Sequence, residues 1–155
     1  VVGDTAILFA GGRPNRGDSN ETFVFVDDTH GFLLVPPSPY FPLNPGGHVG
    51  HSAVGTDYQL FVVGGLSWSA DNVYGQTFVF DATTMAWGYS LSEESTSSND
   101  ALVVSQRDTL RQWSTMVQIG NHLLLYGGRL DNQFASDRLS CYRIPLVVKG
   151  YPAFA

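Results

Sequence analysis

The sequence predicts an all-β chain made of short antiparallel strands arranged as a repeat. Three observations carry that expectation. Apolar runs are only strand-length, and each of three similar runs ends in a pair of glycines. Charged residues are 14% of the 155, below the roughly 25% usual in soluble domains. Lys149 is the only lysine and Glu21, Glu93 and Glu94 are the only glutamates, so the residues that favour exposed helices are scarce. No apolar period of a helix runs long enough to compete.

The elements follow in order. The three runs are Ala6-Ile7-Leu8-Phe9-Ala10-Gly11-Gly12, Gln59-Leu60-Phe61-Val62-Val63-Gly64-Gly65 and His122-Leu123-Leu124-Leu125-Tyr126-Gly127-Gly128, with glycine pairs 53 and then 63 residues apart. A second strand follows each: Thr22-Phe23-Val24-Phe25, Thr77-Phe78-Val79-Phe80 and Leu139-Ser140-Cys141-Tyr142. Seven residues beyond the closing aromatic stand Phe32, Trp87 and, departing from the pattern, Lys149. A further strand precedes the second and third runs, His51-Ser52-Ala53-Val54 and Trp113-Ser114-Thr115-Met116. The predicted strands lie near 4–10, 22–27 and 31–35, then 48–55, 59–64, 76–81 and 85–90, then 111–119, 122–127, 138–144 and a poorer one near 146–149.

Four strands per unit, a period near fifty, paired glycines and a downstream aromatic pair resemble the kelch repeat of β-propellers. The resemblance covers nearly the whole chain, the first unit lacking its first strand. It implies blades of four antiparallel strands over about 1–37, 46–91 and 109–155, with a polar insertion over about 92–108. Glycine after an inner strand turns the backbone without a Cβ penalty and lets neighbouring blades come close, which gives Gly11, Gly12, Gly64, Gly65, Gly127 and Gly128 a structural role. Phe25, Phe80, Tyr142 and Trp87 then fill the wedges between blades. In the third unit that place falls to another residue, Tyr151 being the candidate. Closed propellers have about four to eight blades, so slightly under three leave apolar faces open. A partial propeller is therefore expected, its remaining blades supplied by the same or another chain.

Antiparallel blades send alternate connections to opposite faces. The short turns, such as Gly55-Thr56-Asp57-Tyr58 and Asp81-Ala82-Thr83-Thr84, share one face and are rich in turn residues. The long connections, about 13–21, 36–47, 66–75, 91–108 and 129–137, share the other, where binding is expected. Its candidate partner-binding residues are Arg13, Arg16, Asp18, Tyr40, Trp68, Tyr74, Arg129, Asp131 and Phe134. Trp68 and Tyr74 are amphipathic aromatics of the kind that anchor interfaces. Arg16-Gly17-Asp18 resembles the integrin-recognition tripeptide, and Gly-Asp is equally ordinary turn chemistry. Pro36, Pro39, Pro42 and Pro45 keep the three-residue period of polyproline II, which stiffens a crossing or presents a stripe to SH3 or WW domains.

Catalytic groups do not converge in this pattern. His48 and His51 are three apart on a predicted strand and point to opposite faces. No zinc spacing, nucleophile elbow or phosphate loop is present, so neither a metal nor another cofactor is expected. Comparison with galactose-oxidase-like and sialidase-like propellers finds Cys141 beside Tyr142 on diverging sides of a strand, and a sialidase-like box broken by two extra residues. A net charge of −6 opposes nucleic-acid binding, and no apolar stretch has the length of a membrane helix. The expected function is a non-catalytic protein-interaction module. The alternative is a secreted or cell-surface propeller binding glycan or mediating adhesion, with Asn20 in a glycosylation sequon. A fragment of an oxidase-like or sialidase-like enzyme stands third. The compartment leans to the extracellular side, with the cytoplasm as the other option.

Overall fold

Strand alternation and tight turns build the architecture in the computed structural model, which describes residues 6–9, 21–26, 31–35, 49–67, 72–73, 77–90, 111–130, 134–137, 139–144 and 148–149. Every element among them is a strand and every ladder is antiparallel. Strands β1 (Ile7–Phe9), β2 (Thr22–Val26) and β3 (Gly31–Leu34) form a first sheet. Strands β4 (Ser52–Gly55) and β5 (Gln59–Val63) begin a second. The chain then makes a two-stranded ribbon, β6 (Leu66–Ser67) and β7 (Asn72–Val73), and returns as β8 (Thr77–Asp81) and β9 (Ala86–Ser90). After β10 (Arg111–Gln112) come β11 (Thr115–Ile119) and β12 (His122–Tyr126), and a second ribbon, β13 (Arg129–Leu130) and β14 (Phe134–Ala135). Strand β15 (Leu139–Arg143) completes the third sheet, β11-β12-β15, and β16 (Val148–Lys149) ends the described chain.

The three main sheets pack face to face in chain order. Period-two alternation sends Leu60, Val62, Phe78 and Phe80 to the first sheet, where they meet Val24 and Val35. The intervening Phe61 and Val79 point the other way and meet Leu123, Met116, Tyr142 and Ile144. The middle sheet is thus buried on both faces, and Phe61, Val62, Val79 and Phe80 are fully enclosed. Phe80 and Trp87 face each other across the β8–β9 ladder with ring centroids 5.2 Å apart. The Trp87 indole N–H donates to Thr22 Oγ1 of the first sheet at 2.8 Å, a buried bond between sheets.

The turns are built from their own side chains. Asp81 Oδ1 accepts from the Thr83 N–H and hydroxyl at 2.8 and 2.5 Å and from the Thr84 N–H at 3.2 Å, closing the β8–β9 hairpin. Gly120, at φ +55°, stands first in the two-residue β11–β12 hairpin loop, where a positive φ suits the strand twist.

Several expectations are corrected. The strand near 146–149 is not the outer strand of the third unit; β16 pairs with β9 and becomes the fifth strand of the second sheet, in the order β16-β9-β8-β5-β4. The open edge of β9 offers unpaired N–H and C=O groups, and β16 takes them up. The connections over 66–75 and 129–137 are not plain loops, since each carries a ribbon. The repeat offset between the second and third units is 63 where their first strands begin: Gly50 matches Trp113 and His51 matches Ser114, because Val49 pairs with Leu66 as Gln112 pairs with Arg129. Gly50 and Trp113 both hold positive φ, +66° and +59°. The first sheet is also offset by one residue. Leu60 faces Phe80 and Leu123 faces Tyr142, whereas Ile7 faces Val24. Such a slip reverses the side a residue faces, and it turns Ile7 onto the cluster shared with the second sheet.

Candidate interaction surfaces

The glycine pairs place the ribbons. Gly64, Gly65, Gly127 and Gly128 all hold positive φ, at +68°, +91°, +70° and +85°. A Cβ on Gly65 would lie 3.0 Å from the Val49 carbonyl oxygen, and one on Gly128 would lie 2.8 Å from that of Gln112. The atoms nearest to each Cβ position belong to the lead-in segment of the same unit. Leu66 and Val49 exchange backbone bonds of 2.9 and 3.0 Å. The next unit joins the same seam: the Gly65 N–H donates to the Arg111 carbonyl at 2.7 Å, and the Trp113 N–H to that of Gly50 at 2.6 Å. Ribbons and lead-in segments thus lie along one margin of the packed sheets.

Two polar groups hold this margin together. Ser52 Oγ donates to the Ser114 carbonyl at 2.6 Å and lies 2.7 Å from Ser114 Oγ, joining the second and third units. Ser52→Ala is expected to lower stability by about 1 kcal/mol, read as a shift in the urea midpoint without a change in slope. Arg111 is fully buried; its Nη2 donates to Ser140 Oγ at 2.7 Å and its Nη1 to the Gly127 carbonyl at 3.3 Å. Sequence reasoning missed Arg111, because an arginine among polar residues reads as solvated. Ser140, in place of the Phe78 of the unit before, is the signal that could have found it, since a polar residue at a wedge position needs a partner.

Of the candidate partner-binding residues, Arg129 opens β13 and is exposed, and Phe134 opens β14, paired in register with Leu130. These two are brought onto one ribbon. Arg13, Arg16, Asp18, Tyr40, Trp68, Tyr74 and Asp131 lie outside the described residues, as do Asn20, Gly11, Gly12 and Tyr151. Of the wedge residues, Phe80, Trp87 and Tyr142 do sit between sheets. Phe25 packs edge-on against Phe32 at 5.4 Å, on the side of the first sheet that faces away from the second.

Both ends of the stack are apolar and open. On the first sheet Phe32 and Leu34 are 55% and 48% exposed. On the third sheet, alternation sends Leu123 and Leu125 inward and leaves Val117, Ile119, Tyr126 and Leu139 outward, each about half exposed or more. Among the described residues the sheets do not close on one another.

No protein-family model matches the chain. It is similar to the human kelch domain-containing protein 3, 24% identical over 147 residues that make up 93% of this chain. The chain spans 35% of that relative's length. The similarity is distant; it agrees with the all-β antiparallel fold and points to a kelch-like protein.

Proposed function

We propose that this chain is a segment of a kelch-type β-propeller acting as a non-catalytic protein-interaction module. Its units run over about 1–37 and 46–91 and from about 109 to 144. The partner-binding face is the margin that carries the ribbons β6–β7 and β13–β14. The observation behind this reading is the repeated placement of a short ribbon after a glycine pair, with the exposed Arg129 on the second. Backbone pairing sets the register of side chains on such ribbons, and pre-ordering of this kind lowers the cost of binding. The similarity to a kelch domain-containing protein supports the same class. On this face Trp68 and Tyr74 serve as anchors and Arg129 as a charged contact, with Arg13, Arg16, Asp18, Tyr40, Asp131 and Phe134 around them.

Affinity capture from the native source, with captured proteins quantified, tests the assignment. The paired change Trp68→Ala and Tyr74→Ala, and separately Arg129→Glu, should each reduce the captured partner by roughly tenfold, the usual effect of removing a binding anchor. The melting curve by circular dichroism should stay unchanged. Equal loss of folding and capture would make these residues packing elements.

A further inference from the structure

Trp113 breaks a local rule of its own sheet. Its φ of +59° is one that bulky side chains rarely adopt. Gly50 holds the matching place in the second unit at +66°, with no Cβ to conflict. Period-two alternation would send residue 113 to the side of Thr115, Val117 and Ile119, the outer side of the third sheet. The left-handed backbone turns it elsewhere: three ring carbons of the Trp113 indole lie between 2.8 and 3.0 Å from where a Gly50 Cβ would stand. The ring rests on the second unit, away from the outer face that a further sheet would cover, and the residue is still 44% exposed. Its backbone is pinned on both sides. Gln112 pairs with Arg129, the Trp113 N–H donates to the Gly50 carbonyl at 2.6 Å, and the Ser114 carbonyl accepts from Ser52. Such pinning is what lets a disfavoured backbone persist, and departures of this kind gather at functional sites.

We infer that Trp113 is an aromatic anchor of a peptide site on the ribbon margin, completed by Arg129, which stands opposite the neighbouring Gln112 in the ladder. The occupant is an extended segment of a partner protein in which an apolar side chain stands beside a carboxylate. The apolar side chain lies on the open part of the indole, and the carboxylate meets the guanidinium. Trp and Arg are the residue types enriched among binding anchors. Indole offers a broad apolar surface with a polar edge, and guanidinium takes a carboxylate through two parallel bonds. The net charge of −6 disfavours a long acidic run, so the segment carries one carboxylate rather than several. With one part of the indole already seated on Gly50, little of its freedom is left to lose on binding. This inference rests on the proposed interaction function and adds to it a contact residue and the chemistry of the partner.

A displayed library of random dodecapeptides, panned against the 155-residue chain, tests the inference. Selected peptides should share an apolar residue next to a single Asp or Glu. Against a selected peptide made by synthesis, Trp113→Gly should weaken binding by roughly tenfold, and Trp113→Phe should keep it within about threefold. Arg129→Gln should weaken binding too, but not of the same peptide with its carboxylate replaced by an amide. Hydroxyl-radical footprinting reads the contact in the unaltered chain, and so serves even if Trp113→Gly fails to fold. The Trp113 ring should be oxidised in the free chain and protected by the peptide, with the buried Trp87 as the unreactive reference. A library without binders, an indole already protected in the free chain, or binding indifferent to Trp113→Gly would overturn the inference. If the Trp68, Tyr74 and Arg129 variants still reduce capture of the native partner, only the assignment of Trp113 falls; if they do not, the interaction reading falls with it.

Discussion

Trp87→Ala is expected to lower the unfolding free energy by roughly 3–5 kcal/mol, the range for deleting a buried tryptophan. Stabilities of whole domains are only about 5–15 kcal/mol, so the variant should be largely unfolded or close to it. Three losses coincide at this residue. The residue is only 5% exposed, its ring packs at a tilt against Phe80, and its N–H is bonded to Thr22 of the adjoining sheet. Trp87→Phe separates the terms, since it keeps a ring but strands the Thr22 hydroxyl, which is 2% exposed. That costs about 1–3 kcal/mol for an unmet buried polar group. Urea unfolding followed by far-ultraviolet circular dichroism reads both. A loss under about 1 kcal/mol for Trp87→Ala would mean that this residue does not hold the first two sheets together.

Gly128→Ala ranks second, with an expected loss of about 2–5 kcal/mol from a left-handed backbone combined with overpacking. The new methyl would lie 2.8 Å from the Gln112 carbonyl oxygen and 2.9 Å from Ser114 Cβ, and the first of these is backbone that cannot swing aside. Gly120→Ala is the matched comparison. It has φ +55° with nothing within 4 Å, so only the backbone term of about 1–2 kcal/mol applies. Thermal melts of the two variants should therefore differ, by roughly 2–4 °C for each kcal/mol in a chain of this size. Equal melts would show that the lead-in segment yields easily and that the glycine pair is there for its φ alone.

The repeat was legible because it is written in residues with few alternative uses. Paired glycines and aromatics at a fixed distance pointed to the three main sheets, whereas the burial of the middle sheet on both faces emerges only in the structure. The ribbons were not legible, since two-residue strands such as Leu66–Ser67 are too short to show a period. The position of β16 was hidden for another reason: Val148 and Lys149 fit any open edge equally well, and the choice between β9 and β15 is made by geometry far along the chain. Of the candidate interaction residues, Arg129 and Phe134 come together on one ribbon because their unit folds as the second unit does. Ser52 and Ser114 could be matched by eye in sequence, yet they are partners and not equivalents, a distinction that only the ladder register makes.

The pairing of β16 with β9 has a consequence for vectorial synthesis. Residues 86–90 leave the ribosome well before residues 148–149, and the whole third unit must emerge between them. Closing so long a loop is slow compared with forming the hairpin that joins β8 to β9. The nascent second sheet therefore waits with a bare outer margin, available to any extended segment nearby, until β16 arrives to seal it. Completion of the second sheet thus depends on a strand made only after the third sheet.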